Sequence, residues 1–313
     1  MRKEIVMYIL CVLYVLCLIS IFVMILTRMP SGVDAKKFFI KPRPATKDAI
    51  AIVNIAGPIR LSLSPKRFFD YDAEAIVKKL RNLGDRKDVK AIILRINSPG
   101  GSVAAVQEIY SEIIKLRKEK NKVVVASFGD VAASGGYYIA SACDKIVANP
   151  GTLTGSIGVL LELGNVQELF KKIGVKVEII KSGKHKDSGS MFRELTPEER
   201  KMFQELVQEA YNQFIEAIVQ GRNMEKEKLL ELADGRIYTG SQALSAGLVD
   251  KLGNDQTAIE LAKEIAKISG EPRMISEYDP LEKMFTIFGR SEINMPLQEI
   301  INKNKMRFEY ILE

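Results

Sequence analysis

From Asp48 onward the chain alternates short, β-branched apolar runs with helical periods, and this alternation leaves few folds open. The runs are Ala49–Ile55 (AIAIVNI), Ala91–Ile96 (AIILRI), Lys122–Phe128 (KVVVASF), Lys145–Asn149 (KIVAN) and Val175–Ile180 (VKVEII). Each is too short for a buried helix and rich in Val and Ile, the pattern of a buried strand. Between them, Ile76, Leu80 and Leu83 mark one helical face, and Val106, Ile109, Ile113 and Leu116 mark another. Thr196-Pro-Glu-Glu199 has the form of a capping box with proline at the first helical position, opening a long helix to about Gln220. Strand–helix–strand alternation of this kind predicts an α/β domain with mostly parallel strands. No internal repeat is evident.

The N-terminus obeys a different rule. From Ile5 to Thr27 there is no charged residue. As a helix rising ~1.5 Å per residue, this run reaches across a hydrocarbon core of about 30 Å. It has no polar face, as a core helix would, and it ends in LTRMPSG without a small-x-small cleavage site. The expectation is an uncleaved anchor at 5–27 behind a short N-terminus at 1–4. A Pro-containing linker covers 28–47, the main domain 48–270, and a tail 271–313. The tail holds a candidate amphipathic helix (Leu281, Met284, Phe285, Phe288) and ends in an apolar FEYIL segment.

Charge follows the same division. The net charge is +7, but eight Lys/Arg against Glu4 and Asp34 place +6 of it in residues 1–47. The main domain is therefore near neutral, which argues against nucleic-acid binding and for a basic segment beside anionic lipid. The positive-inside count alone favours a cytoplasmic location for the residues after the anchor. Of three cysteines, Cys11 and Cys17 lie in the apolar run and Cys143 is alone in the body. With one histidine in the chain, no ligand cluster for a metal is expected, and no phosphate-binding loop motif is present.

Three segments could carry chemistry. Arg95–Val103 (RINSPGGSV) joins a strand to a helix through glycines that leave backbone N–H groups open; it is either a plain βα turn or a cradle for an oxyanion. Ser127–Ile146 contains Ser134-Gly135-Gly136 at a second strand-to-helix turn. Ser134 is either a nucleophile, with the next N–H at Gly135 serving an oxyanion, or simply a helix N-cap. Lys181–Ser190 (KSGKHKDSGS) contains His185, the only histidine, next to Lys186. A serine nucleophile needs a base, and both neighbours are candidates unless the loop is merely solvated. A lysine base must lose its proton from a starting pKa of about 10.4, which desolvation and nearby cations assist.

Five segments occur in order: SPGGSV, Ser134 in DVAASGGYYIASACD, GTLTGSIGV (Gly151–Val159), SGKHKD, and GRIYTGSQALSAGLVDKLG (Gly235–Gly253). Together, over about residues 48–265, they resemble the signal peptide peptidase A family, serine peptidases of the S49 class, in its short single-domain form. The resemblance implies a ClpP/crotonase-like α/β fold of repeated β-β-α units behind one transmembrane helix. It implies Ser134 as nucleophile, Lys186 as general base and Ser156 as the residue orienting the lysine. Gly135, with Gly101 or Gly100, would form the oxyanion hole, and no cofactor or metal is implied. It further implies a homo-oligomer whose neighbouring subunits complete each active site and cover the lysine loop. The catalytic domain would lie on the extracytoplasmic side of the cell membrane, and this is preferred to the charge count because large domains translocate largely regardless of charge.

The expected activity is cleavage of remnant signal peptides and other apolar or unfolded peptides at the membrane, bound by strand addition. Two rival readings remain. One is a crotonase-type acyl-CoA enzyme, which would need neither an anchor nor the Ser134–Ser156–Lys186 set. The other is an inactive membrane scaffold, against which the complete dyad argues.

Overall fold

The structure, a computed structural model, describes residues 13, 14, 16, 20, 47–61, 72–276 and 309–311. The chain divides into two units, 1–44 and 45–313. In the first unit Leu13, Tyr14, Leu16 and Ser20 are helical. The rest of the expected anchor, nearly all of the linker and the Leu281–Phe288 helix lie outside the described residues. Among the described residues no helix is long and apolar enough to cross a membrane.

In the second unit the strand β1 (Ala49–Ala56) leads to α1 (Ala73–Asp85), β2 (Val89–Ser98), β3 (Gly100–Ser102) and α2 (Val103–Lys118). Then come β4 (Val123–Ala133), α3 (Gly135–Ser141), β5 (Lys145–Ala148) and β6 (Leu153–Gly155). After α4 (Gln167–Lys172), the long α5 (Pro197–Arg222) and α6 (Lys226–Leu232), the chain forms β7 (Ile237–Thr239), α7 (Gly240–Ala246), β8 (Lys251–Leu252) and α8 (Asp255–Ile265). The last strands are β9 (Arg273–Ser276) and β10 (Glu309–Ile311).

The main sheet runs β7-β6-β4-β2-β1-β9, with β5 attached to β4 and β8 to β5. All its pairings are parallel except β6 with β7. Strand β4 forks the sheet: Val125–Ser127 pair with β5, whereas Val131–Ala133 pair with β6. Alternation along the strands explains the two layers, since successive side chains take opposite faces. Ile92, Leu94 and Ile96 join the larger core with α1, α2 and α3. Ile50, Ala91, Ile93, Val125 and Val147 face Ala258 and Ala262 of α8. Each fully buried Ile or Leu of this kind contributes about 1.5–3 kcal/mol.

The periodic helices form as expected. Ile76, Leu80 and Leu83 of α1 and Val106, Ile109, Ile113 and Leu116 of α2 are buried. The capping box is present at α5: Glu199 N donates to Thr196 Oγ1 at 3.2 Å and Thr196 N donates to the Glu199 carboxylate at 3.0 Å. One expected strand is corrected. Val175–Ile180 forms no strand, and Val175, Val177, Ile179 and Ile180 stand 44%, 41%, 42% and 96% exposed. Its alternation is real, but among the described residues no sheet edge lies alongside to take its backbone hydrogen bonds, and a lone strand has nothing else to hold it.

Helix α3 has seven residues, fewer than an isolated helix needs. Packing supplies the difference, for every residue of α3 is buried. Tyr137 donates its hydroxyl to the Leu248 carbonyl at 2.7 Å. The Tyr138 ring stacks on Phe214 of α5 at 4.8 Å and meets Tyr110 of α2 edge-on at 5.1 Å. The N-terminus of α3 is therefore held rigidly at the C-terminal end of β4.

Candidate active site

Ser134 occupies the single residue between β4 and α3. Its backbone sits at φ 52°, ψ −116°, a conformation that L-residues rarely adopt and that costs on the order of 1–3 kcal/mol. The surroundings impose it. Ser134 N donates to the Gly155 carbonyl at 2.7 Å, and Thr154 Oγ1 donates to the Ala132 carbonyl at 2.6 Å. The turn thus has the strained strand-to-helix geometry of a nucleophile elbow, although Ala132 replaces the first glycine of the G-x-S-x-G pattern.

The N-cap alternative does not hold, because the Ser134 side chain makes no capping hydrogen bond. Its Oγ is buried and, among the described residues, has no hydrogen-bond partner. The first N–H groups of α3, beginning with Gly135, have no intrahelical acceptor and no side-chain cap. An unpartnered hydroxyl and an uncapped helix start thus meet at one point among the described residues.

The SPGG turn lies beside this point. Ser98 pairs in register with Ala132, and a Cβ on Gly136 would meet the Ser98 carbonyl at 3.1 Å. Gly100 adopts φ 113°, and its N–H donates to Ser98 Oγ at 3.1 Å. Gly101 lies against Ile59 so closely that a Cβ there would approach the Ile59 carbonyl oxygen to 1.9 Å. Between the two glycines, Gly100 therefore has its donor engaged. On the opposite edge, β3 accepts the tail strand β10 antiparallel, with Tyr310 opposite Gly101 and Ile311 opposite Gly100. Helix α3 packs against both β3 and β10.

Ser156 follows Gly155, whose carbonyl holds Ser134, so the two serines are brought together by the β4–β6 pairing. Ser156 also has positive φ, 47°, and its N–H donates to the Arg236 carbonyl at 2.8 Å. A cavity of about 400 Å³ opens beside it, lined by Ile157, Val159, Leu160, Val207, Tyr211 and Ala233 among others.

Lys186 makes no hydrogen bond to Ser134 Oγ within the single chain. It lies exposed in a run of turns, and its amine has no hydrogen bond or ion pair among the described residues. From residue 158 to residue 198 no residue is fully buried. His185 is also exposed, with Nε2 at 3.6 Å from Glu198. Cys143 is no rival nucleophile: it is buried, and burial pushes its thiol well above the ordinary range.

Comparison with known proteins places the sequence in a family. The model of peptidase family S49 matches residues 116–269, and that of Clp protease matches residues 62–152. A provisionally named protease of Synechocystis sp., slr0021, is 44% identical over 224 residues, covering 72% of this chain and 76% of its own. The chain belongs to peptidase family S49. Serine protease SPPA, chloroplastic, of Arabidopsis thaliana is 39% identical over 259 residues, 82% of this chain and 36% of its own. Protease 4 of Salmonella typhi is 41% identical over 180 residues, 58% of this chain and 29% of its own. The chain thus spans about a third of the length of these long relatives. The Clp protease match agrees with the α/β architecture.

In this S49 peptidase a cluster of charges that no sequence motif marks surrounds the Lys186 turn. Asp187, beside Lys186, accepts from Lys181 Nζ at 2.5 Å and from Arg193 Nε at 2.9 Å. Arg193 turns its other edge to Glu199, with Nη1 to Oε2 at 2.8 Å. These hydrogen bonds, Arg193 first in each case, hold both carboxyls well below the usual carboxylate range. The only sequence signal was the capping-box glutamate itself, whose second partner is six residues upstream and off any helix.

Proposed function

We propose that the chain is a membrane-anchored endopeptidase with a Ser134–Lys186 dyad. It degrades remnant signal peptides and other apolar or unfolded peptides at the cell membrane, with its catalytic domain on the extracytoplasmic side. The observation that carries this reading is the strained Ser134 turn, which holds an uncapped, unpartnered hydroxyl beside the open N-terminus of α3. A fold keeps such strain where chemistry uses it.

The steps follow from the groups present. The neutral Lys186 amine takes the proton of Ser134 Oγ as the oxygen attacks the peptide carbonyl carbon. The carbonyl oxygen becomes negative and is held by the N–H groups of Gly135 and Gly101. Gly100 supports that turn through its bond to Ser98. The proton passes from Lys186 to the departing amine, the C–N bond breaks, and water then hydrolyses the acyl-serine ester by the same route. Ser156 orients the lysine. The substrate adds as a strand to β3, as β10 does, and the apolar wall of the cavity beside Ser156, formed by Ile157, Val159, Leu160 and Val207, favours small or apolar residues near the cut. Lys186 reaches a serine, and loses its water, when neighbouring subunits of a homo-oligomer pack over the 158–198 segment. The basic stretch before the domain contacts anionic lipid. No metal, cofactor or nucleic acid enters this scheme.

The test is a comparison of the full-length oligomer as wild type, Ser134→Ala, Lys186→Ala and His185→Ala, using an internally quenched apolar peptide and a serine-reactive fluorophosphonate. The expected result is labelling at Ser134, no turnover for the first two variants and near-normal turnover for His185→Ala. Loss with His185→Ala and survival with Lys186→Ala would replace the lysine by a histidine base. An intact oligomer that never labels would end the peptidase mechanism.

A further inference from the structure

The turn that carries Lys186 is crowded with charge, and the charges are unequally satisfied. From its own loop it is faced by Lys181, Lys184, His185, Asp187 and Arg193, and from α5 by Glu198, Glu199 and Arg200. Lys181 and Arg193 share Asp187, Arg193 also holds Glu199, and Lys184 pairs with Glu198. Of the four basic residues Lys181, Lys184, Lys186 and Arg193, Lys186 alone has no acidic partner among the described residues. Yet the carboxylate next to it in sequence, Asp187, is already shared by two cations, its side chain 9% exposed.

The arrangement also anchors the turn. Lys186 N donates to the Gly183 carbonyl at 3.2 Å, Ser188 N to that of His185 at 3.2 Å, and Ser190 N to that of Asp187 at 3.0 Å. Arg193 Nη2 donates to the Asp187 carbonyl at 3.1 Å while its fork holds Glu199, the third residue of α5. One guanidinium therefore ties the turn to the capped start of a 26-residue helix.

We propose that Lys181 and Arg193 are positioning residues for the base: they occupy Asp187 so that this carboxylate cannot pair with Lys186 and hold it protonated. The proposal rests on the Ser134–Lys186 reading. A carboxylate beside a lysine favours its charged form, whereas a carboxylate already shared by two cations contributes little field. The Arg193 fork is planar and bidentate toward Glu199, so lysine at 193 would replace the charge but not the geometry.

The charge balance gives signs that a structural role does not. Lys181, Arg193, Asp187 and Glu199 sum to zero. Arg193→Gln leaves the group negative, Asp187→Asn leaves it positive, and the double variant returns it to zero. The experiment measures kcat/KM against pH for the full-length oligomer with an internally quenched apolar peptide. Arg193→Gln is expected to move the midpoint of the acidic limb up by about one unit, with about tenfold further loss of activity below it, and to lower the plateau because the tie to α5 is gone. Asp187→Asn is expected to move the midpoint down, and the double variant to restore it. Arg193→Lys should recover the midpoint and only part of the plateau. Should Arg193→Gln fail to assemble, Lys181→Gln tests the same sign from the exposed side. Equal loss at every pH in both single variants, with the midpoint unmoved, would overturn the proposal and leave a purely structural clamp. Turnover by Lys186→Ala, run alongside, would instead remove the dyad on which the proposal depends.

Discussion

Ser134 donates its backbone N–H to the Gly155 carbonyl at 2.7 Å, and that one bond joins the two halves of the site. It closes the turn that strains Ser134 and places Ser156, the residue that follows β6, beside it. Neither serine lies in a relaxed conformation: both have positive φ, 52° and 47°.

The strain at Ser134 makes stability and activity separable. Ser134→Ala retains the unfavourable backbone, whereas Ser134→Gly relieves it, less the entropy glycine brings to the unfolded chain. Both variants are expected to be inactive, with the glycine variant about 1 kcal/mol more stable than the alanine one. Thermal unfolding of the two side by side checks this, and equal midpoints would show that the turn is not strained in solution.

The tail strand occupies the edge that substrate is proposed to use. Glu309–Ile311 pair with Gly100–Ser102, so tail and peptide compete for β3. Ending the chain at residue 305 is expected to lower KM for an apolar peptide several-fold with kcat unchanged. A synthetic peptide spanning residues 306–313 added to the shortened chain should inhibit competitively. Identical KM values for the two chains would place substrate elsewhere.

The clamp on the Lys186 turn has a defined pH window. The Asp187 and Glu199 carboxyls are held well below their unfolded values, chiefly by Arg193. A group with a depressed folded pKa stabilises above its unfolded value, about 4, and the contribution disappears as pH falls through the folded one. Protection of residues 181–195 against hydrogen exchange, corrected for intrinsic rates, should therefore be constant from about pH 8 to 5 and decline below about pH 4. A decline beginning near neutrality would show that these two carboxyls do not govern the clamp.

Much of the scaffold was legible because its signals are local. β1, β2, β4 and β5 coincide with the β-branched runs, and α1 and α2 bury the residues their periods named. The capping box at Thr196 needed only four residues and their hydrogen-bonding capacity. Val175–Ile180 shows the limit of the same reasoning. Alternation says which face of a strand is apolar but not whether an edge exists to receive it, and here among the described residues none does.

The site divides along the same line. Residue types and their order by themselves determined which groups were candidates: Ser134, Ser156, Lys186 and the glycines at 100, 101 and 135. Whether Ser134 was a cap or a free hydroxyl depended on a backbone angle set by Gly155, twenty-one residues away and in register only through the sheet. That Gly100 has its N–H engaged by Ser98, and that Arg193 reaches both Asp187 and Glu199, were likewise decided only in three dimensions. Composition and spacing limit what a side chain can donate or accept. Which partner it meets depends on distance, and distance across this chain is set by the packing of α3 and the fork of β4.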